Sequence, residues 1–344
     1  MLSVLGQTRR DLLVSILDNA SGDDTERVAR ELTALDPRVG YHRHDQNIGG
    51  LKNIIYGIEQ VATPFFSILS DDDLLMPSFF ERGLALHERG DQPLAFVSTR
   101  IVTATRASRF VAAPAGAGDS GPLRPPAGVV RCLTAGASLP GVIYRTTAMR
   151  AIGPPRTAWW NWTESGWHAL AALRFPVAFS REVGAIVQLH QGNSSRLMTP
   201  SEFRLSWFEM IAELKAGAAA ANVASDWWTA HVLPVVRARF IGTAARLHGP
   251  DDLQRYDTLA RLATASGLGL AEVRTVLAVA RAAHSLGIGR AVNRLFDRAK
   301  PGGDETGCAP AEPDTAATDG DAITACQVFH DLTVRAGIDP EALA

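Results

Sequence analysis

Apolar and polar positions change period several times within the first hundred residues. Leu12 to Leu17, "LLVSIL", is a short apolar run of strand type that stops at Asp18. "TERVARELTAL", Thr25 to Leu35, then spaces Val28, Leu32 and Leu35 along one helical face. "VGYHRH", Val39 to His44, alternates like a half-buried strand, "LKNIIYGIEQV" returns to helical spacing, and "PFFSIL", Pro64 to Leu69, reads as a buried strand. The predicted order is strand, helix, strand, helix, strand with short connections. That order belongs to an α/β fold with a mainly parallel sheet flanked by helices.

From about residue 104 to 140 the chain is rich in Ala, Gly and Pro with little periodicity, which predicts loops over the sheet. "GVIYR" and a tryptophan-rich stretch follow, then "WHALAALRF" reads as a helix and "GAIVQLH" as a strand ending at His190. The character changes near residue 198. "TPSE" has the form of a capping box, with Thr199 as N-cap, Pro200 at N1 and Glu202 at N3, and helical segments follow to about Lys300, with Pro234 predicted to kink one of them. Residues 301–321 lack large apolar side chains and are predicted to be a disordered linker. The predicted division is therefore an α/β domain over 1–198, an all-α domain over 199–300, the linker, and a short helix and tail over 322–344.

Composition narrows the partners. Over 344 residues the formal net charge is -2, with 34 basic and 36 acidic residues, so no surface for nucleic acid is implied. Three scattered cysteines make neither a disulfide framework nor a zinc knuckle and suggest a reducing compartment. No uncharged stretch is long enough to span a bilayer, and "MLSVLGQTRRDLL" does not read as a signal peptide. The expected location is the cytoplasm, with peripheral membrane association left open.

Candidate chemistry gathers at the strand tails, where open α/β sheets place their ligands. "DNASGDDT" follows the first strand, "DQNIGG" the second and "SDDD" the third. Three adjacent carboxylates at the end of a buried strand repel one another, so either solvent or a bound cation must offset their charge.

"VSILDNASGDDTERVARE", "HDQNIGGLKNIIYGIEQV" and "FFSILSDDDLLMPSFFE", in that order, resemble the nucleotide-sugar-binding half of a family 2 glycosyltransferase with the GT-A fold. The resemblance runs over about residues 3–100, weakens over 138–198 and stops there. It implies a metal-dependent transferase that moves a sugar from a nucleoside-diphosphate sugar to an acceptor hydroxyl, usually with inversion, using Mn²⁺ or Mg²⁺. The acceptor class stays open among saccharide, lipid-linked and other hydroxyls, and self-association stays open too.

Carried over by position, Asp18 matches the acid that accepts from the nucleobase edge, with Asn19 beside it; the plainer role for Asp18 is an Asx turn or helix cap. Asn47 and Gly49 match a tight turn. Lys52 stands where it reaches a phosphate or is simply solvated. In the acidic triplet, Asp72 is the favoured metal ligand, Asp73 assists and Asp71 lies near the ribose; the alternative is a solvated turn capping the next helix. Glu164 is the one carboxylate in "WWNWTESGWHALAAL", where the family carries its general base as the Asp of a Glu-Asp pair. His190 sits where some relatives complete the metal shell, and is otherwise a structural histidine. Trp159, Trp160, Trp162 and Trp167 form either an acceptor platform or core. His42 and His44 share a strand face and are too few for a metal site.

Family members normally open with a further strand before the helix that here reads "LSVLGQTRRDLL", so the expectation is a domain without its first strand. Two rivals follow: a catalytically silent nucleotide-sugar binder or scaffold of the same fold, and a metal-dependent phosphohydrolase using the same carboxylates.

Overall fold

The chain begins with a four-residue helical turn, α1 (Leu2–Leu5), rather than the longer helix expected there. The turn is short because Gln7 breaks away to bond elsewhere. Its amide donates to the carbonyls of Ser3 and Met76 at 2.9 and 2.7 Å, while the Ser3 hydroxyl accepts the Leu75 N–H. This computed structural model describes residues 1–89, 91–105, 110–112, 120–135, 139–189, 200–247 and 252–285.

β1 (Val14–Asp18), α2 (Thr25–Leu35), β2 (Val39–Arg43) and α3 (Gly50–Gln60) follow the predicted alternation closely. Gly49 turns the chain into α3 with φ of +92°, a conformation that favours glycine. β3 (Phe65–Phe66) is shorter than expected, since the Ser67 hydroxyl bonds the Val142 carbonyl and the chain then turns toward β4 (Leu74–Leu75). α4 (Phe79–Glu88), β5 (Phe96–Thr105), β6 (Phe110–Ala112), β7 (Ser120–Leu123) and α5 (Ala127–Ala135) come next. A 3₁₀ turn at Leu139–Gly141 leads to β8 (Val142–Arg145), α6 (Thr146–Ile152), a second 3₁₀ turn at Thr157–Trp162, α7 (Thr163–Arg174) and β9 (Val177–Leu189). The helical region comprises α8 (Pro200–Ala220), α9 (Ser225–His231), α10 (Leu233–Ala245), α11 (Asp252–Ala265) and α12 (Leu270–Ser285).

The α/β class stands, but the strands are less parallel than expected. β1 and β2 form a parallel pair of their own. The larger sheet has the order β3-β8-β5-β9-β4, with β6 on β5 and β7 on β9, and among the described residues its one parallel pair is β5 with β9. The antiparallel pairs come from β4, β6, β7 and β8, short strands in stretches of weak period that no β-α-β pattern announces.

One apolar core runs through both halves. Phe96, Tyr144 and Trp167 belong to the same buried cluster as Trp207, Phe208, Phe240, Leu259 and Val273 of the helical region. Trp159 and Trp167 are fully buried in it, and Gly166 lets α7 approach, since a Cβ there would lie 2.4 Å from the Trp159 ring. Trp162 donates to the Phe203 carbonyl at 2.8 Å, and the Arg239 guanidinium lies 4.4 Å from the Trp162 ring and 4.8 Å from that of Trp207. These three tryptophans wedge the helical region onto α7, so of their two readings the structure takes core packing; the side chain of Trp160 lies outside the described residues. Pro234 opens α10, after α9 has ended, instead of kinking a helix, because a helix start tolerates its missing N–H. Thr199, the 301–321 linker and the 322–344 tail lie outside the described residues.

Candidate active site

Two groups of polar side chains occupy the strand ends. The first is built on β1 and β2, where Asp18 pairs in register with Arg43. Residues 41 and 43 alternate onto the face that Asp18 shares, and three donors converge on its carboxylate. The Ser21 N–H donates to Oδ1 at 2.7 Å, and the Tyr41 hydroxyl and Arg43 guanidinium donate to Oδ2 at 2.7 and 2.5 Å. The Asp18 side chain has 0% of its surface exposed. Burial alone would raise its carboxyl, but these donors outweigh burial and hold it well below the usual carboxylate range.

Asn19 and Asn47 tie the two loops together. Asn19 accepts from the Ile48 N–H at 2.8 Å and donates to the Asn47 side-chain oxygen at 2.9 Å, which also takes the Gly49 N–H. Lys52 is exposed in the first turn of α3, whose leading N–H groups face the same end. On the other face of β2, His42 and His44 pack on Tyr56, with centroid distances of 4.7 and 4.8 Å, and His44 bonds Asn53.

The second group contains the acidic triplet. Asp71 is exposed, Asp72 half-buried and Asp73 buried, 5% exposed. The turn at 71–72 is closed by the Asp73 N–H on the Ser70 carbonyl, and Asp73 Oδ1 accepts the Gln188 N–H near the end of β9 at 3.0 Å. Burial raises the Asp73 carboxyl to about 7; the Gln188 bond opposes this, and the charges of Asp72, Glu164 and Asp71 add to it. The structure thus places Asp73, rather than the favoured Asp72, deepest in the site.

Glu164 stands half-buried in the first turn of α7, near enough for its charge to act on Asp73. Its Oε2 accepts the Leu139 N–H at 3.3 Å, and burial raises its carboxyl to about 7. One turn on, His168 Nε2 lies 2.7 Å from the Tyr144 hydroxyl, and both residues are fully buried. Burial raises Tyr144 far above its ordinary value, with Glu164 adding to the shift.

The predicted residues therefore fall into two sets: Asp18, Asn19, Asn47 and Lys52 on the two-stranded sheet, and Asp71, Asp72, Asp73 and Glu164 around the larger one. His190 lies outside the described residues. Tyr41 and Arg43 were missed, although the period-2 alternation of β2 already put them on one face, opposite His42 and His44. Among the described residues no three His, Cys, Asp or Glu side chains converge to hold a metal. A pair of adjacent carboxylates still fits a cation of the Mg²⁺ type, which is held by one or two carboxylates with water and substrate phosphates completing its shell. The fit is electrostatic: Asp73 is buried among like charges, and a cation would relieve them.

Residues 1–112 match the family model of Glycosyl transferase family 2. An uncharacterized glycosyltransferase of Haemophilus influenzae is 25% identical over 96 residues, 28% of this chain and 30% of its own length. The chain thus matches less than a third of that curated relative. Among solved structures, the fold is similar to S. aureus TarS 1–349, with TM-scores of 0.62 for its complex with UDP and 0.64 for that with UDP-GlcNAc. Identity there is 14%, covering 87% of this chain and 86% of that one. The fold is therefore GT-A-like, and the resemblance carried by the three motifs is borne out. No described helix is long and apolar enough to cross a membrane.

Proposed function

From the match of residues 1–112 to Glycosyl transferase family 2 and the GT-A-like fold, we propose that this protein transfers a sugar from a nucleoside-diphosphate sugar to an acceptor hydroxyl, with inversion. What supports the reading is that Asp73 and Glu164, held by the Gln188 and Leu139 N–H groups, lie near enough for the charge of Glu164 to act on Asp73, and that burial raises both carboxyls to about 7. Groups poised near neutrality are suited to proton transfer and to ligand-dependent charging.

In this mechanism the 18–24 and 44–49 loops receive the nucleoside, with Lys52 near the phosphates and Asp71 near the ribose. Asp72 and Asp73 would hold Mg²⁺ or Mn²⁺, which supplies positive charge for the departing diphosphate. Glu164 takes the proton from the acceptor hydroxyl as that oxygen bonds to the anomeric carbon. The bond from that carbon to the diphosphate breaks on the opposite face. The Leu139 N–H holds Glu164 from one side.

The test is a transfer assay with the full chain, Mg²⁺ or Mn²⁺ and a panel of nucleotide sugars, beginning with UDP-GlcNAc. Transfer that is lost in Glu164→Gln and Asp73→Asn supports the reading. Tight nucleotide binding without turnover would point to a silent binder. Phosphate release from simple phosphate esters would point to a phosphohydrolase.

A further inference from the structure

Asp18 is where a nucleobase contact is expected, yet its side chain presents no surface to a ligand. Its neighbours close a ring. Ser21 N–H donates to Asp18 Oδ1, Arg43 donates to Asp18 Oδ2, and a second Arg43 nitrogen donates to the Ser21 carbonyl at 2.9 Å. Tyr41 adds a third donor to the carboxylate at 2.7 Å. Within this ring Ala20 holds φ of +60°, which costs a residue with a Cβ about 1 kcal/mol or more and persists only when surrounding contacts enforce it. Glu26 lies 3.7 Å from Arg43, and Arg30 sits over the Tyr41 ring at 5.7 Å, so the clamp is braced from α2 as well.

We infer that Asp18, Tyr41 and Arg43 form a positioning clamp for the 18–24 loop, and that the nucleoside is recognised by the loop's backbone in the shape the clamp imposes, without contact to the Asp18 carboxylate. This rests on the transferase reading of the site. A carboxylate already bonded to a backbone N–H, a hydroxyl and a guanidinium gains little by accepting from a base edge. Reaching it would first require breaking the Tyr41 and Arg43 bonds. The loop's backbone, and the Asn19–Asn47 bridge that starts one residue after Asp18, inherit their geometry from the ring.

The test uses the full chain and three variants, Asp18→Asn, Tyr41→Phe and Arg43→Gln, with Arg43→Lys as the conservative variant. UDP and GDP binding is measured by calorimetry with Mg²⁺, and exchange of the Ser21 amide by hydrogen exchange without nucleotide. Each of the three variants is expected to weaken both nucleotides by about 3- to 10-fold, the size of one hydrogen bond. The UDP-to-GDP preference stays constant, Ser21 exchange becomes faster, and Arg43→Lys recovers part of the loss. A changed preference in Asp18→Asn alone would overturn the inference by showing direct base contact, as would unchanged Ser21 exchange in all three. Wild-type protein that binds neither nucleotide in any panel would overturn the transferase reading instead, and the exchange result would still decide the clamp.

Discussion

Asp18 and Asp73 are both buried aspartates at strand ends, 3% and 5% exposed, and their charges are treated in opposite ways. Asp18 meets a backbone N–H, a hydroxyl and a guanidinium, which hold it charged far into acid. Asp73 meets one N–H among the described residues, and Asp72, Glu164 and Asp71 surround it with like charge. A buried carboxylate with its donors in place is part of the scaffold. One short of donors and crowded by other carboxylates is a place for something positive to arrive.

The comparison breaks first at catalysis. Glu164→Gln should lower transfer by about 10²- to 10⁴-fold, the usual contribution of a general base. Asp73→Asn should lower it strongly as well, and neither should reduce the melting temperature, because each removes a charge that burial disfavours. Rates and thermal unfolding measured on the same samples check this; a large loss of stability in either variant would place these carboxylates in the scaffold.

Asp18→Ala should do the reverse, costing stability before chemistry. It strips three hydrogen bonds and leaves Arg43 without its buried partner. With the Arg43 side chain about a third exposed (32%), solvent offsets part of the loss, so the expected cost is about 1–3 kcal/mol in denaturant unfolding.

The dependence of stability on pH sharpens the contrast further. In metal-free protein, Asp73 and Glu164 have folded values raised to about 7, so their contribution is full below the ordinary carboxylate range and is lost as pH rises toward 7. His87 acts in the opposite direction. It is buried, with Nε2 3.0 Å from the Ile143 carbonyl, and burial lowers it to about 4. Its contribution is present above about 6.5 and is lost as pH falls through about 4. With two raised carboxyls against one lowered imidazole, wild-type stability should rise as pH falls from about 6.5 to about 4.5. Asp73→Asn leaves one carboxyl against one imidazole, so its melting temperature should change less over that range than the wild type's; parallel curves would contradict the raised value of Asp73.

The smallest expected effect lies where the helical region packs on α7. Arg239→Met removes the guanidinium between Trp162 and Trp207 and should cost about 1 kcal/mol of stability, with a change in tryptophan fluorescence and no change in nucleotide affinity.

Much of this is legible in the amino-acid sequence. Strong helical and alternating periods made α2, β2 and α3 readable to within about a residue, and the three polar strand tails announced where chemistry would gather. β5, the central strand of the large sheet, has no counterpart among the predicted elements. It mixes buried Phe96 and Val97 with Ser98, Thr99 and Arg100, and a register shift at Arg100 interrupts its pairing with β9, so no clean period marks it. The order of burial within the triplet was hidden for a different reason. Three adjacent aspartates carry no period, and only the Gln188 N–H from a strand more than a hundred residues away turns Asp73 inward. The Asp18 clamp was hidden in plain view, since the alternation of β2 set Tyr41 and Arg43 beside it while the family resemblance directed attention to the ligand.

The most direct test is a carbon-13 NMR titration of aspartate side chains in the metal-free protein, repeated with Mg²⁺ and UDP. Asp73 is expected to titrate near 7 in the free protein and to leave the neutral range when both ligands are added, while Asp18 stays ionised throughout. An Asp73 that titrates in the ordinary carboxylate range, or that ignores Mg²⁺ and UDP, would contradict the account.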